Sequence, residues 1–210
     1  MTRQRIPNLL TTLRLVLAGV FFALLSVFDY PDTARWALPV ATAIFIVAAI
    51  TDALDGWLAR RWNAVSVYGR IADPAADKVL VLGAFVFLAS SAFSDPAGGA
   101  RPVTGVWAWM VAVIIAREIT VTTARTVRES RGVSTAAVWR GKWKMILQSV
   151  GAPAILLVVW LADADALAGG WARTTVSAIA WTDTMVTVLS GLHYIHAGVA
   201  ALRAAPEESE

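Results

Sequence analysis

The chain has 210 residues, enough for one domain or at most two small ones. Apolar residues make up 58% and charged residues 16%, against about 45–50% and about 25% in soluble domains. With a mean hydropathy of +0.63, these values exclude a disordered chain and point to an integral membrane protein; the lack of cysteine excludes a disulfide scaffold, a cysteine zinc site, an iron–sulfur cluster and a thiol nucleophile.

A membrane-spanning helix needs roughly 20 apolar residues. Six stretches qualify, some by running into a polar end: Leu9 to Phe28, Trp36 to Arg60, Ala75 to Phe93, Val103 to Arg128, Trp143 to Leu161 and Thr174 to Leu202. Turn signals separate them at Asp29-Tyr30-Pro31-Asp32, at Ser94 to Gly99 and at Asp163 to Gly170. The expected fold is all-α: one polytopic membrane domain of six transmembrane helices over 1–203, then a tail over 204–210. The first stretch exceeds a signal peptide's apolar region of about 7–15 residues and no Ala-x-Ala site follows, so it reads as an uncleaved helix.

Lys and Arg set the orientation. They concentrate at Arg3 and Arg5, at Arg60, Arg61 and Arg70, and between Arg125 and Lys144, while the three opposite connections hold one each: Arg35, Arg101 and Arg173. The positive-inside rule therefore places both termini in the cytoplasm. Trp36, Trp107, Trp109, Trp171 and Trp181 fall near outer interfaces, and Trp62, Trp139 and Trp143 near inner ones. The isoelectric point of about 9.7 then reflects topology and anionic lipid rather than nucleic acid.

Carboxylates are rare in spans unless function needs them. Asp52 and Asp55 are spaced i,i+3 at the end of the second stretch, and Asp73 and Asp77 i,i+4 at the start of the third. Each pair shares a helix face, and helices joined by a short connection tend to be neighbours. Taken singly, these residues could cap helix ends or pair with Arg70 and Lys78. Taken together, four crowded carboxylates call for cations. Oxygen donors select Mg²⁺, Mn²⁺ or Ca²⁺, and two such ions would make a two-metal phosphoryl-transfer site. Arg117, Glu118, Arg125, Lys142 and Lys144 end on the same side, which describes a polar cavity open to the cytoplasm.

The stretch from Asp52-Ala-Leu-Asp55-Gly56 through Ala59-Arg60 to Gly69-Arg-Ile-Ala-Asp73-Pro-Ala-Ala-Asp77 resembles the signature of the CDP-alcohol phosphotransferase family at every defined position. Eight fixed positions at about 6% usage each give a chance match near ~10⁻¹⁰ per start point. Further segments are similar to the bacterial phosphatidylglycerophosphate synthases within that family: Ile6-Pro7-Asn8-Leu9-Leu10-Thr11-Thr12-Leu13-Arg14, Asp77-Lys78-Val79-Leu80, Ala116-Arg117-Glu118-Ile119 and Gly141-Lys142-Trp143-Lys144. Met145 departs from the Thr expected after the last of these.

The resemblance implies a six-helix homodimeric enzyme of the bacterial cytoplasmic (inner) membrane with its active site facing the cytoplasm. It implies transfer of a phosphatidyl group from CDP-diacylglycerol to sn-glycerol 3-phosphate, with CMP released. It further implies Asp52, Asp55, Asp73 and Asp77 as ligands of two Mg²⁺ or Mn²⁺ ions, with Asp77 also the general base. Gly56, Ala59, Arg60 and Gly69 become CDP contacts, with Asn8, Thr11 and Arg14 within reach of the nucleotide or diphosphate.

The acceptor is a dianion and needs cations outside the metal cluster. Arg117, Arg125, Lys142 and Lys144 are the candidates, while Arg128, Arg131 and Arg140 fit topology and lipid contact. Positions 142 and 144 lie about 200° apart if helical, so both face one ligand only if the helix starts there. Thr11 could equally bond its own backbone. The spacing assigns no role to Asp183, His193 or His196.

Two other readings stay open. The same chemistry could use inositol phosphate or phosphatidylglycerol as acceptor. Intramembrane acids also mark ion pathways, so a divalent-cation transporter is the reading from another class, although the first five spans carry no acid at mid-depth.

Overall fold

The computed structural model describes residues 5–62, 67–95, 101–130 and 139–203, with side chains over 9–54, 61, 78–95, 101–124, 126 and 144–192. Six long helices follow the expected order: α1 (Arg5–Val27), α2 (Ala37–Trp62), α3 (Val67–Leu88), α4 (Ala108–Ser130), α5 (Trp139–Leu161) and α7 (Trp171–Arg203), with a short α6 (Ala164–Ala168) before the last. A two-residue hairpin, β1 (Ser94–Asp95) with β2 (Arg101–Pro102), joins α3 to α4. Segments Leu9–Val27, Ala37–Leu54 and Lys144–Leu161 are long and apolar enough to cross a membrane, and Lys78–Leu88 is a shorter apolar run. The expected tail, 204–210, lies outside the described residues.

Each long helix turns one stripe inward. On α1 the stripe is Thr11, Arg14, Ala18, Phe21 and Leu25, while Leu9, Leu13, Val16 and Val20 are exposed. Apolar residues on both faces suit a helix that meets protein on one side and lipid on the other. On α2 the stripe runs Leu38, Ala41, Phe45, Ala48, and the same spacing leads to Asp52. On α3 it runs Leu88, Phe85, Val81.

Between spans in lipid, packing rather than water exclusion drives association, so small residues at contacts matter. Ala18, Ala41, Ala48 and Ala84 are buried in the apolar core, where α1 packs on α2 and α3 and α2 on α5. Phe21 meets Phe45 edge-on at 5.5 Å, and Phe22 stacks on Phe87 at 5.6 Å. This apolar core fills the end of the bundle away from the carboxylate motif. Towards the motif the inward stripes become polar: Thr11 and Arg14 on α1, Glu118 on α4, Lys144 and Gln148 on α5, Thr187 and Ser190 on α7.

Several element bounds differ from the sequence expectation. The fourth helix starts at Ala108, not Val103, because Gly105 stands at φ +69°, a left-handed conformation that interrupts a helix. A Cβ there would also lie 2.9 Å from Ser177 Cα. Thr104 Oγ1 meanwhile donates to Leu88 O at 2.7 Å. The third helix starts earlier, at Val67, and ends at Leu88, where Ser90 Oγ donates to Phe87 O and a 3₁₀ turn follows. The expected loop Asp163 to Gly170 contains α6, whose first turn Asp163 caps by accepting from Ala166 N–H at 2.8 Å.

Candidate active site

Asp52 comes inward because it stands four residues beyond Ala48 on the buried stripe of α2. Arg14 stands on the matching stripe of α1, one turn beyond Thr11. The two meet: Arg14 Nη1 lies 2.7 Å from Asp52 Oδ1. Their exposures differ sharply, 1% for Arg14 and 32% for Asp52. A guanidinium this deep is costly without an anion, so Asp52 compensates Arg14, and Arg14 in turn fixes the carboxylate at the end of α2. The sequence placed Arg14 near a ligand but carried no sign of this pairing.

A cavity of about 190 Å³ opens beside the pair. Arg14 and Asp52 form its polar side; Phe45, Leu80, Ile146 and Val150 form apolar walls. Met145, the departure from the family-like segment, belongs to the apolar wall and is half exposed. It makes no phosphate site there. A space with one ionic end and apolar flanks accepts a molecule that is itself charged at one end and apolar at the other.

Two acceptor candidates come together at a second cluster. Glu118 Oε1 accepts from Arg117 Nη1 at 2.6 Å and from Lys144 Nζ on α5. All three side chains are nearly buried. Adjacent helix residues do not normally face each other; Arg117 and Glu118 touch because both side chains are long enough to bend to one point. Lys142 and Lys144 do not act as a pair. With α5 starting at Trp139, both positions are helical and stand about 200° apart, so the condition for a shared face fails.

The carboxylate-motif positions fall on α2 and α3, with Asp55, Gly56, Ala59 and Arg60 on the last turns of α2 and Gly69, Asp73 and Asp77 on the first three turns of α3. Their side chains, with those of Asn8, Arg125, Lys142, His193 and His196, lie outside the described residues. Thr11 is fully buried next to Arg14.

The family model described as CDP-alcohol phosphatidyltransferase matches residues 4–189. The chain belongs to the CDP-alcohol phosphatidyltransferase family. It is 36% identical over 202 residues to the CDP-diacylglycerol–glycerol-3-phosphate 3-phosphatidyltransferase of Escherichia coli (strain K12), covering 94% of this chain and 96% of that one. The protein of the same name from Bacillus subtilis (strain 168) is 35% identical over 159 residues, 72% of this chain and 76% of its own. The family-model match spans the carboxylate motif on α2 and α3 and the Arg117–Glu118–Lys144 cluster.

The transferase also holds a buried polar seam that the sequence reading missed. Gln148 Nε2 donates to Thr187 Oγ1 at 3.1 Å, and Thr187 Oγ1 donates to Asp183 O at 2.7 Å. Asp183 lies well inside α7, only 2% exposed, and its Oδ2 has no hydrogen-bond partner among the described residues. It sits against Gly151 of α5, where a Cβ would overlap Oδ2. Two turns further along α7, a Cβ on Gly191 would come within 3.0 Å of Arg117 Cγ. Spacings 144/148/151 and 183/187/190 each mark one helix face, so polar and small residues at i, i+4, i+7 were the available signal.

Gly151→Ala is therefore expected to lower stability by about 1–3 kcal/mol through overpacking, with most of the loss absent in an Asp183→Ala background. Thermal unfolding of the four proteins of that cycle in detergent checks it. Equal losses in both backgrounds would refute the contact.

Proposed function

We propose that this transferase moves the phosphatidyl group of CDP-diacylglycerol to sn-glycerol 3-phosphate, giving phosphatidylglycerophosphate and CMP. The observation that carries this reading is the 36% identity over 94% of the chain to the Escherichia coli protein of that name. We further propose that six helices span the bacterial inner membrane with the motif end in the cytoplasm, and that the enzyme works as a homodimer. The basic residues around the motif support the orientation.

Asp52, Asp55, Asp73 and Asp77 would hold two Mg²⁺ or Mn²⁺ ions. The donor set fits hard cations, and the part-exposed Asp52 carboxylate beside the 190 Å³ cavity fits an approachable one. Such ions, when bound, polarise phosphate oxygens and neutralise charge developing on them. The rest falls to the chain. Arg14 fixes Asp52. Gly56, Ala59, Arg60 and Gly69, with Asn8 and Thr11, would bind CDP. The apolar wall of the cavity supports a lipid donor, whose first methylenes it would cover. Asp77 would take the proton of the attacking hydroxyl. The new bond forms from that oxygen to the phosphorus carrying diacylglycerol, and the bond to CMP breaks.

The acceptor's phosphate needs cations. Arg117 and Lys144 would supply them together, oriented by Glu118, with Arg125 and Lys142 nearer the helix ends. Arg suits a two-point contact to phosphate and Lys a point charge.

Purified protein in detergent, with Mg²⁺ and CDP-diacylglycerol, is expected to release CMP only when sn-glycerol 3-phosphate is added. Parallel reactions take inositol phosphate and phosphatidylglycerol. Release with either of those would keep the metal site and overturn the acceptor; no release in any reaction by folded protein would overturn the reading.

A further inference from the structure

The end of the bundle opposite the carboxylate motif carries a second polar site. A cavity of about 210 Å³ is lined by Tyr30, Asp95, Arg101, Val103 and Arg173, with Leu167 and Ala168 closing one side. Every connection at this end contributes: Tyr30 from α1–α2, Asp95 and Arg101 from the β1–β2 hairpin, α6 from α5–α7, and Arg173 from the first turn of α7. The chemistry proposed above uses none of them.

Backbone bonds tie the walls together. Tyr30 N–H donates to Ala92 O at 2.9 Å, and Val103 N–H to Phe93 O at 2.8 Å. Asp95 and Arg101 are direct partners in the hairpin. Arg173 Nη1 donates to Pro102 O at 2.7 Å, which holds the start of α7 to the hairpin. Phe28 and Phe93 pack at 4.8 Å and support the connections from the core side.

Arginine at this end runs against the positive-inside bias, so each one calls for a reason. Arg35 has one: its Nη2 donates to Trp160 O in the last turn of α5 and to Ala162 O just past it. Arg101 and Arg173 both line the cavity, and Arg173 does so while its Nη1 is held by Pro102 O. With Asp95 they leave one net positive charge. A phosphodiester carries one negative charge, and guanidinium groups match its oxygens. Burial, then Asp95, push the Tyr30 phenol above its usual value, so it remains a hydroxyl donor at neutral pH. Trp36, Trp107, Trp109 and Trp171 are exposed at the same end, as side chains are at the headgroup level of a bilayer.

We propose that this cavity binds the phosphodiester head of a phospholipid in the leaflet opposite the active site. The inference depends on the helices spanning a membrane and not on which acceptor the enzyme uses. It makes the distal connections a lipid-anchored cap on the bundle.

The test is thermal unfolding of the full protein in detergent, titrated with phosphatidylglycerol, with diacylglycerol lacking the phosphate, or with inorganic phosphate. Phosphatidylglycerol is expected to stabilise the wild type. Arg101→Gln is expected to need about tenfold more of it, the loss of one charged hydrogen-bonding partner. Arg101 is exposed at the far end from the motif, so CMP release should be unchanged in this variant. Tyr30→Phe, which removes only the hydroxyl, should shift the titration in the same direction. Identical lipid titrations for the wild type and both variants would overturn the site. So would an Arg101-dependent response to diacylglycerol, and an equal response to inorganic phosphate would replace the lipid by a free anion.

Discussion

Asp52→Asn, Asp73→Asn and Asp77→Asn are each expected to lower CMP release by about a thousandfold or more while the protein remains folded. Amides keep the size of the carboxylates but cannot neutralise a divalent cation or accept the acceptor's proton. The three variants should differ in stability, because Asp52 has a second duty. Its Oδ1 is 2.7 Å from Arg14 Nη1, and Arg14 is almost fully buried. Asp52→Asn leaves that guanidinium facing a neutral amide, and breaking a buried pair from one side is strongly destabilising, by up to about 3–5 kcal/mol. Adding Arg14→Gln should recover much of the stability and none of the activity. CMP release and thermal unfolding, measured on the same preparations, separate the two effects. Full activity in any single variant would sink the two-metal assignment; equal stability of Asp52→Asn and wild type would sink the role given to Arg14.

Glu118→Gln is expected to be the most damaging single change away from the motif. One carboxylate oxygen receives both Arg117 and Lys144, and all three side chains are nearly out of contact with solvent. The substitution removes the negative charge that these two cations share. A cost of about 3 kcal/mol or more is expected, read as a lower unfolding temperature in detergent. Glu118→Gln with Lys144→Met takes away one of the two cations and should recover part of that loss. The rescued protein should still have a raised KM for sn-glycerol 3-phosphate, since Lys144 is proposed to meet the acceptor. Rescue of both stability and KM would mean that the cluster holds α4 to α5 and touches no substrate.

The seam at Asp183 and the pairing at Arg14 show where sequence reasoning stopped. The carboxylate motif was legible because its spacing is local: i,i+3 and i,i+4 on two consecutive helices need no knowledge of the rest of the chain. The long helices were legible because apolar runs have few alternatives in a membrane. Arg14 with Asp52, Glu118 with Lys144, and Asp183 against Gly151 join helices far apart in sequence, and no local pattern encodes which stripes meet. For that reason no local pattern assigns Asp183 a role. Its place follows from Gly151, which has no side chain to fill the gap.

The element ends divide in the same way. Asp163 caps α6 through Ala166 three residues on, a local signal that lies within the turn-rich stretch Asp163 to Gly170. The late start of α4 was not legible, because no local pattern shows that Gly105 takes a left-handed conformation beside Ser177 of α7.

Composition, apolar runs and the motif by themselves determined a helical membrane enzyme of the CDP-alcohol phosphatidyltransferase family and the helix ends that carry its carboxylates. The tertiary structure alone decided which charges meet. It gave Arg117 and Lys144 a common anion and gathered two of the three distal arginines into one cavity. The reason is physical: helix formation depends on residues within a few positions of one another, whereas a buried charge is stable only beside a partner that packing brings from elsewhere in the chain.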